Sequence, residues 1–154
     1  MNCKACTHFA PFFKQDDIYP LENFRRDVQQ LSKVCDVAAF YLLGGEPLLL
    51  KNLDEYIRIA RQYMPKSNLS IWTNGLLLPT TSQKIFNALR EEKFVVTVTM
   101  YAPTFKIRDQ IKEILSSNGI SFVFDGLKDN FGVFMTLHNG NDPLKAAASC
   151  FNSA

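Results

Sequence analysis

Long apolar runs are missing from this chain of 154 residues; none reaches the length of a membrane span, so no membrane partner is expected. An apolar leader is missing as well, because Met1 is followed by Asn2, Cys3 and Lys4 where a secretory signal would carry its hydrophobic segment. An excess of charge of one sign is also lacking. The 17 basic and 15 acidic residues leave a net +2, with no basic block to grip nucleic acid or an anionic surface, so nucleic acid is not expected as a partner either. Cysteine is scarce, at four residues, and without an export signal these read as thiols or metal ligands instead of disulfides. The expectation is a soluble cytoplasmic protein. What is present is ordinary for a globular domain, with 47% hydrophobic and 21% charged residues and enough length for a real core. No linker or low-complexity stretch divides residues 1–154, which read as a single domain.

The organising stretch is Tyr41-Leu42-Leu43-Gly44-Gly45-Glu46-Pro47. An apolar strand that stops on two glycines lets the backbone approach a ligand closely, since no Cβ intervenes, and Glu46 then presents a fixed charge. In parallel α/β folds, ligands collect outside the carboxyl ends of the strands. The alternative is an ordinary strand-to-loop turn with a solvated Glu.

Cys3-Lys4-Ala5-Cys6 opens the chain. Two thiolates at that spacing converge on one metal or cluster. A redox dithiol is the rival reading, although that motif normally opens a helix and Ala10-Pro11 does not continue one. Leu21, Phe24, Val28 and Leu31 then follow a helical step, with Cys35 on the same stripe as a small buried hydrophobe. The unbroken apolar run over residues 38–43 predicts a strand buried on both faces.

Asn52 with Glu55 reads as a capped start for a helix whose face is Leu53, Tyr56, Ile57, Ala60 and Met64, stopped by Pro65. A strand over residues 69–72 ends in Thr73-Asn74-Gly75, which is either a second polar strand end or a tight turn using Asn and Gly for backbone freedom. Thr80 with Gln83 reads as another capping box, opening a helix with Ile85, Phe86 and Leu89 inward. A β-branched strand over 94–100 follows. Next come a helix carrying Ile107, Ile111, Ile114 and Leu115, ended by Asn118-Gly119, and a strand over 120–124. A shorter strand candidate covers 133–137. Strand and helix alternate with connections long enough for crossovers, which predicts parallel strands.

With those residues placed, the chain resembles the radical S-adenosylmethionine (SAM) enzymes. Their signature is Cys-x-x-x-Cys-x-x-Cys after the first barrel strand, followed by Gly-Gly-Glu-Pro after the second. Cys3-Lys4-Ala5-Cys6 matches the second half of that signature, and Asn2 with Thr7-His8-Phe9-Ala10-Pro11 matches members whose loop reads Asn-Cys-x-x-Cys-x-His-x-x-Pro. Gly44-Gly45-Glu46-Pro47 and Thr73-Asn74-Gly75 match the ends of the next two strands. The resemblance covers residues 1–124. It implies an α/β fold of parallel (β/α) repeats, a partial TIM-like barrel with its first strand missing, in which residues 1–17 form the cysteine loop and 38–137 the β/α core.

The resemblance also implies the chemistry. Cys3 and Cys6 would be ligands of a [4Fe-4S] cluster that cleaves SAM reductively, giving a 5′-deoxyadenosyl radical that abstracts hydrogen from a substrate, small molecule or peptide. Gly44, Gly45 and Glu46, with Pro47 in the same turn, would bind the methionyl ammonium, and Thr73 and Asn74 would contact SAM or support Glu46. An electron donor such as flavodoxin or ferredoxin is the implied partner. The family's first cluster cysteine would fall two residues before Met1, so the resemblance implies either a shortened chain or a member that keeps the barrel as a non-catalytic binding module. A zinc site using Cys3, Cys6 and either Cys35 or Cys150 is a third class.

Thr99 or Tyr101 would reach the ribose, or else serve as a cross-strand hydroxyl and a core-edge aromatic. His8 would touch the cluster region or cap a backbone carbonyl. His138 and Cys150 read as structural or exposed, though Cys150-Phe151 lies where family members begin an auxiliary-cluster tail. Without a strand before it, the edge formed by residues 38–43 predicts a two-fold homodimer, unless the loop of Phe9, Phe12 and Phe13 folds over it.

Overall fold

The computed structural model describes residues 18–126 of the chain. In order these form α1 (Leu21–Val34), β1 (Ala39–Leu42), α2 (Leu53–Tyr63), β2 (Asn68–Thr73), α3 (Gln83–Glu91), β3 (Val95–Thr99), α4 (Ala102–Lys106), α5 (Arg108–Ser117) and β4 (Phe122–Asp125). Short 3-10 turns over Pro47–Leu49 and Leu78–Thr80 follow the first two strands. The strands lie in the order β1-β2-β3-β4, and every pairing is parallel. Among the described residues the fold is therefore the expected α/β repeat, four parallel strands alternating with helices in a sheet that does not close, consistent with part of a TIM-like barrel.

Helix α1 packs on α2 and α2 on α3, so the helices cover one face of the sheet. Into it β2 sends Leu69 and Ile71 and β3 sends Val96 and Val98, which join Ile57, Ala60, Leu89 and Leu115 in one buried cluster. Each such Leu or Ile contributes about 1.5–3 kcal/mol relative to an exposed position. Phe24 of α1 adds an aromatic contact to Tyr56 and Phe40, with ring centroids 5.1 and 6.3 Å away. At the far corner, the Arg61 guanidinium donates to the Glu92 carbonyl at 2.7 and 2.9 Å and to the Pro65 and Ser67 carbonyls, tying the end of α2 to the turn that leads into β3.

The alternate side chains point to the opposite face, where Tyr41 pairs in register with Ser70, and Trp72 with Thr97 and then Val123. Ser70 and Thr97 hydroxyls sit 3.0 Å apart there, while Tyr41, Trp72 and Val123 are exposed. The expectation of a strand buried on both faces over residues 38–43 is therefore wrong. Burial along β1 alternates between exposed and half-buried, because among the described residues β1 is the edge of the sheet and nothing covers its second face.

Cys35 is likewise not the buried hydrophobe its spacing implied; it is an exposed free thiol. Helix α1 stops at Val34 and Cys35 is already extended (φ −154°, ψ 151°), so the chain leaves the helical step before the stripe reaches it. Neither capping box forms. Asn52 adopts φ −110°, ψ 30°, outside the extended conformation a capping side chain needs, and its backbone carbonyl, not its side chain, accepts from Glu55 N–H at 3.0 Å. Thr80 is consumed by the 3-10 turn, donating to the Leu77 carbonyl, and Ser82 precedes α3 instead.

The Asn118-Gly119 stop is as expected, with Gly119 at φ +66°. Strand β4 starts later than residue 120, because Ile120 N–H donates back to the Leu115 carbonyl at 3.0 Å. The cysteine loop 1–17, the strand candidate 133–137, His138 and Cys150 lie outside the described residues.

Candidate functional site

Beyond β1 the chain runs through exposed Gly44 and Gly45 to Glu46, which is extended (φ −154°, ψ 110°) and caps the 3-10 turn by accepting from Leu48 N–H at 3.2 Å. Pro47 fits the first position of that turn because an N–H there would have no partner within it. The geometry buries Glu46 to 6% exposure. A buried carboxylate needs donors, and the end of β2 supplies them. The Thr73 hydroxyl donates to Glu46 Oε1 at 2.6 Å and Asn74 N–H donates to Oε2 at 3.0 Å.

The donors are themselves held. Thr73 Oγ1 accepts from Gly75 N–H at 3.0 Å, and Asn74 Oδ1 accepts from Leu76 N–H at 2.9 Å, an Asx turn. Gly75 sits at φ +76°, and a Cβ there would come within 2.8 Å of Val98 Cγ1 and 2.9 Å of Ile111 Cδ1, so only glycine fits. Gly44 differs: no described residue lies within 4 Å of where its Cβ would be, so among the described residues the space beside its backbone is open.

Among the described residues, Glu46 Oε1 takes two donors and Oε2 one. An ionised carboxylate offers about four acceptor sites, which leaves Oε2 able to accept once more beyond its described partners. A cationic donor such as an α-ammonium fits that chemistry, since a charge-assisted hydrogen bond gains most where water is excluded.

The structure thus brings Glu46, Pro47, Thr73 and Asn74 together at the carboxyl ends of two adjacent parallel strands, with Gly44 and Gly45 leading in. Cys3, Cys6 and His8 lie outside the described residues. Among the described residues, no group of three or more His, Cys, Asp or Glu side chains is placed to hold a metal ion. Thr99 is half-buried at the end of β3 opposite Asp125, and Tyr101 opens α4. Sequence reasoning missed Thr104. It is fully buried in α4, and its hydroxyl donates to the Asn74 carbonyl at 2.7 Å. Ala102-Pro103 following a strand was the available signal, because proline is tolerated in a helix's first turn.

No family model matches the chain, but curated relatives do. It is 27% identical over 141 residues to a GTP 3′,8-cyclase of Helicobacter pylori, an alignment covering 88% of this chain and 41% of that protein. A GTP 3′,8-cyclase of Nautilia profundicola is 40% identical over 92 residues, 56% of this chain and 28% of that one. An S-adenosyl-L-methionine-dependent 2-deoxy-scyllo-inosamine dehydrogenase of Niallia circulans is 40% identical over 53 residues, 34% of this chain and 21% of that one. The chain spans less than half the length of each of these relatives.

Proposed function

We propose, for a chain that belongs with these relatives to the radical SAM family, that it binds SAM at the carboxyl ends of β1 and β2 and acts as a radical SAM enzyme domain. The observation that carries the reading is the buried Glu46 carboxylate, held by Thr73, Asn74 and Leu48, with acceptor capacity left on Oε2. In this reading Glu46 accepts from the methionyl ammonium, and Gly44 and Gly45 offer backbone groups to the same moiety. Pro47 fixes the turn, and Thr73 and Asn74 hold the carboxylate in place. Cys3 and Cys6 are the proposed cluster ligands.

A [4Fe-4S] cluster, when bound, supplies the electron that cleaves SAM reductively, yielding a 5′-deoxyadenosyl radical for hydrogen abstraction from substrate. An external donor of the flavodoxin or ferredoxin kind delivers that electron, and the substrate is a small molecule or a peptide. The contribution of the described residues is binding and orientation, in a site where water is excluded from the Glu46 carboxylate.

Calorimetric titration with SAM, before and after anaerobic reconstitution with iron and sulfide, tests the proposal. Binding by the reconstituted wild type, abolished in Glu46→Ala, is the expected result. Equal binding without iron would identify a cluster-independent binding module instead. No binding in either state would overturn the SAM-site reading altogether.

A further inference from the structure

The geometry points to Thr104 as a positioning residue for the cofactor site, acting through Asn74; the inference rests on the reading that SAM is bound at Glu46. Asn74 is gripped at both ends of its backbone. Its N–H donates to Glu46 Oε2 at 3.0 Å, and its carbonyl accepts from Thr104 Oγ1 at 2.7 Å. These two bonds come from different parts of the chain, one from the turn after β1 and the other from the helix after β3. They fix the orientation of both peptide groups flanking Asn74.

Thr104 is fully buried, so its hydroxyl has no water to fall back on and its bond to Asn74 is the contact that satisfies it. Its methyl serves the same turn, lying 3.5 Å from the position a Gly75 Cβ would take. One side chain thus holds the turn by a hydrogen bond and fills the space beside Gly75. Once the hydroxyl is removed, the Asn74 carbonyl loses this buried donor, and its peptide, whose N–H is that of Gly75, is held less firmly against Thr73 Oγ1. The turn then holds the Thr73 hydroxyl and Asn74 N–H less firmly against Glu46, and the donors that aim the carboxylate are loosened. Small displacements of a binding group cost far more than their size suggests when the ligand requires one geometry.

Thr104 does not touch the reacting atoms, so its effect must appear in the turn and in cofactor affinity together. The test compares the wild-type full chain with Thr104→Val, Thr104→Ser and a core truncation on α3, Ile85→Val, all reconstituted with iron and sulfide. Amide hydrogen exchange and SAM affinity are both measured. In Thr104→Val, exchange at Asn74 and Gly75 is expected to rise about tenfold, and SAM to bind about tenfold more weakly, the effect of one lost hydrogen bond. Exchange at Val96 and Val98 should stay unchanged. Thr104→Ser keeps the hydroxyl and should restore both readouts to within about twofold. Ile85→Val should move neither.

If Thr104→Val does not fold, Thr104→Ala replaces it with the same expectation. Wild-type exchange and affinity in the hydroxyl-free variant, or an equal loss of affinity in Ile85→Val, would overturn the inference. A wild-type chain that binds no SAM would overturn the functional reading and the cofactor role of Thr104 with it, whereas the exchange data would decide separately whether Thr104 holds the turn.

Discussion

Thr73 and Glu46, 27 residues apart in sequence, meet through a 2.6 Å hydrogen bond from the Thr73 hydroxyl to Glu46 Oε1. The contact joins the ends of two neighbouring strands whose backbone pairing in β1 stops at Leu42 opposite Ile71. Past that point it is side chains that hold the two loops together, and the carboxylate is the hub.

Replacing Thr73 by Val keeps the shape of the side chain but leaves Oε1 short of a buried donor. The expected cost is about 1–3 kcal/mol of stability, seen as a fall in Tm of about 3 °C or more in thermal unfolding. Thr73→Ser should stay close to wild type. An unchanged Tm in Thr73→Val would show that Glu46 does not depend on this donor.

The two glycine sites should separate stability from binding. Gly75→Ala forces a Cβ against Val98 and Ile111 at a positive φ, and overpacking together with left-handed strain should cost about 2–4 kcal/mol. Gly44→Ala meets no described residue within 4 Å and should leave stability within about 0.5 kcal/mol. If the Gly44 backbone faces the cofactor, the same alanine weakens SAM binding. Denaturant unfolding and SAM titration on both variants check this, and a Gly44→Ala variant that binds SAM normally would remove that backbone from the site.

How much of this was legible in the sequence follows from which forces are local. The α/β alternation and the parallel order were readable, because periodicity in α2, α3 and α5 and the strand spacing are properties of single segments. Glu46, Thr73 and Asn74 could be named because they end strands of a parallel fold, where ligands collect, and because their turns match the motifs of the radical SAM resemblance. Their mutual bonds could not, since nothing in residues 44–47 says which oxygen meets Thr73. Thr104 was invisible for the same reason: a threonine two residues into a short helix looks solvated until the Asn74 carbonyl is placed beside it. The apolar run at 38–43 misled because hydrophobicity reports that a strand is suited to burial, not whether a neighbour arrives to cover it. Tyr41 and Trp72, with ring centroids 5.8 Å apart, remain exposed on that face.

Stability should also depend on pH through Asp27 and Tyr19. The Tyr19 hydroxyl donates to Asp27, which the Arg26 guanidinium also contacts at 2.8 Å. The Tyr19 bond first, then Arg26, holds Asp27 below its ordinary 3.8. A depressed acid stabilises the fold above its unfolded value and loses that contribution as pH falls through the folded one. Tyr19 is raised above 10.0, chiefly by the same bond, so its contribution is present below that value and lost as pH rises through the folded pKa. The denaturation midpoint of Asp27→Asn should therefore lie below wild type across the neutral range and converge with it as pH drops below about 3.8. Parallel curves down to strong acid would show that the Tyr19–Asp27 contact contributes nothing.

The final prediction concerns assembly and comes from the sheet edge. Strand β1 pairs with β2 alone among the described residues, so the backbone groups along its outer side have no strand partner there. Tyr41 is 49% exposed and Leu43 45% exposed beside that edge. An edge with apolar side chains next to it is a template for another strand. The simplest closed solution is a two-fold pair in which β1 of one copy lies antiparallel to β1 of the other, each using the same surface. Sedimentation over a range of concentrations should show a monomer–dimer equilibrium, and Tyr41→Lys should shift it toward monomer by placing charge at the edge. A monomer at every concentration, with amides in residues 39–42 nonetheless protected from exchange, would mean that another part of the same chain covers the strand, and the dimer would be wrong.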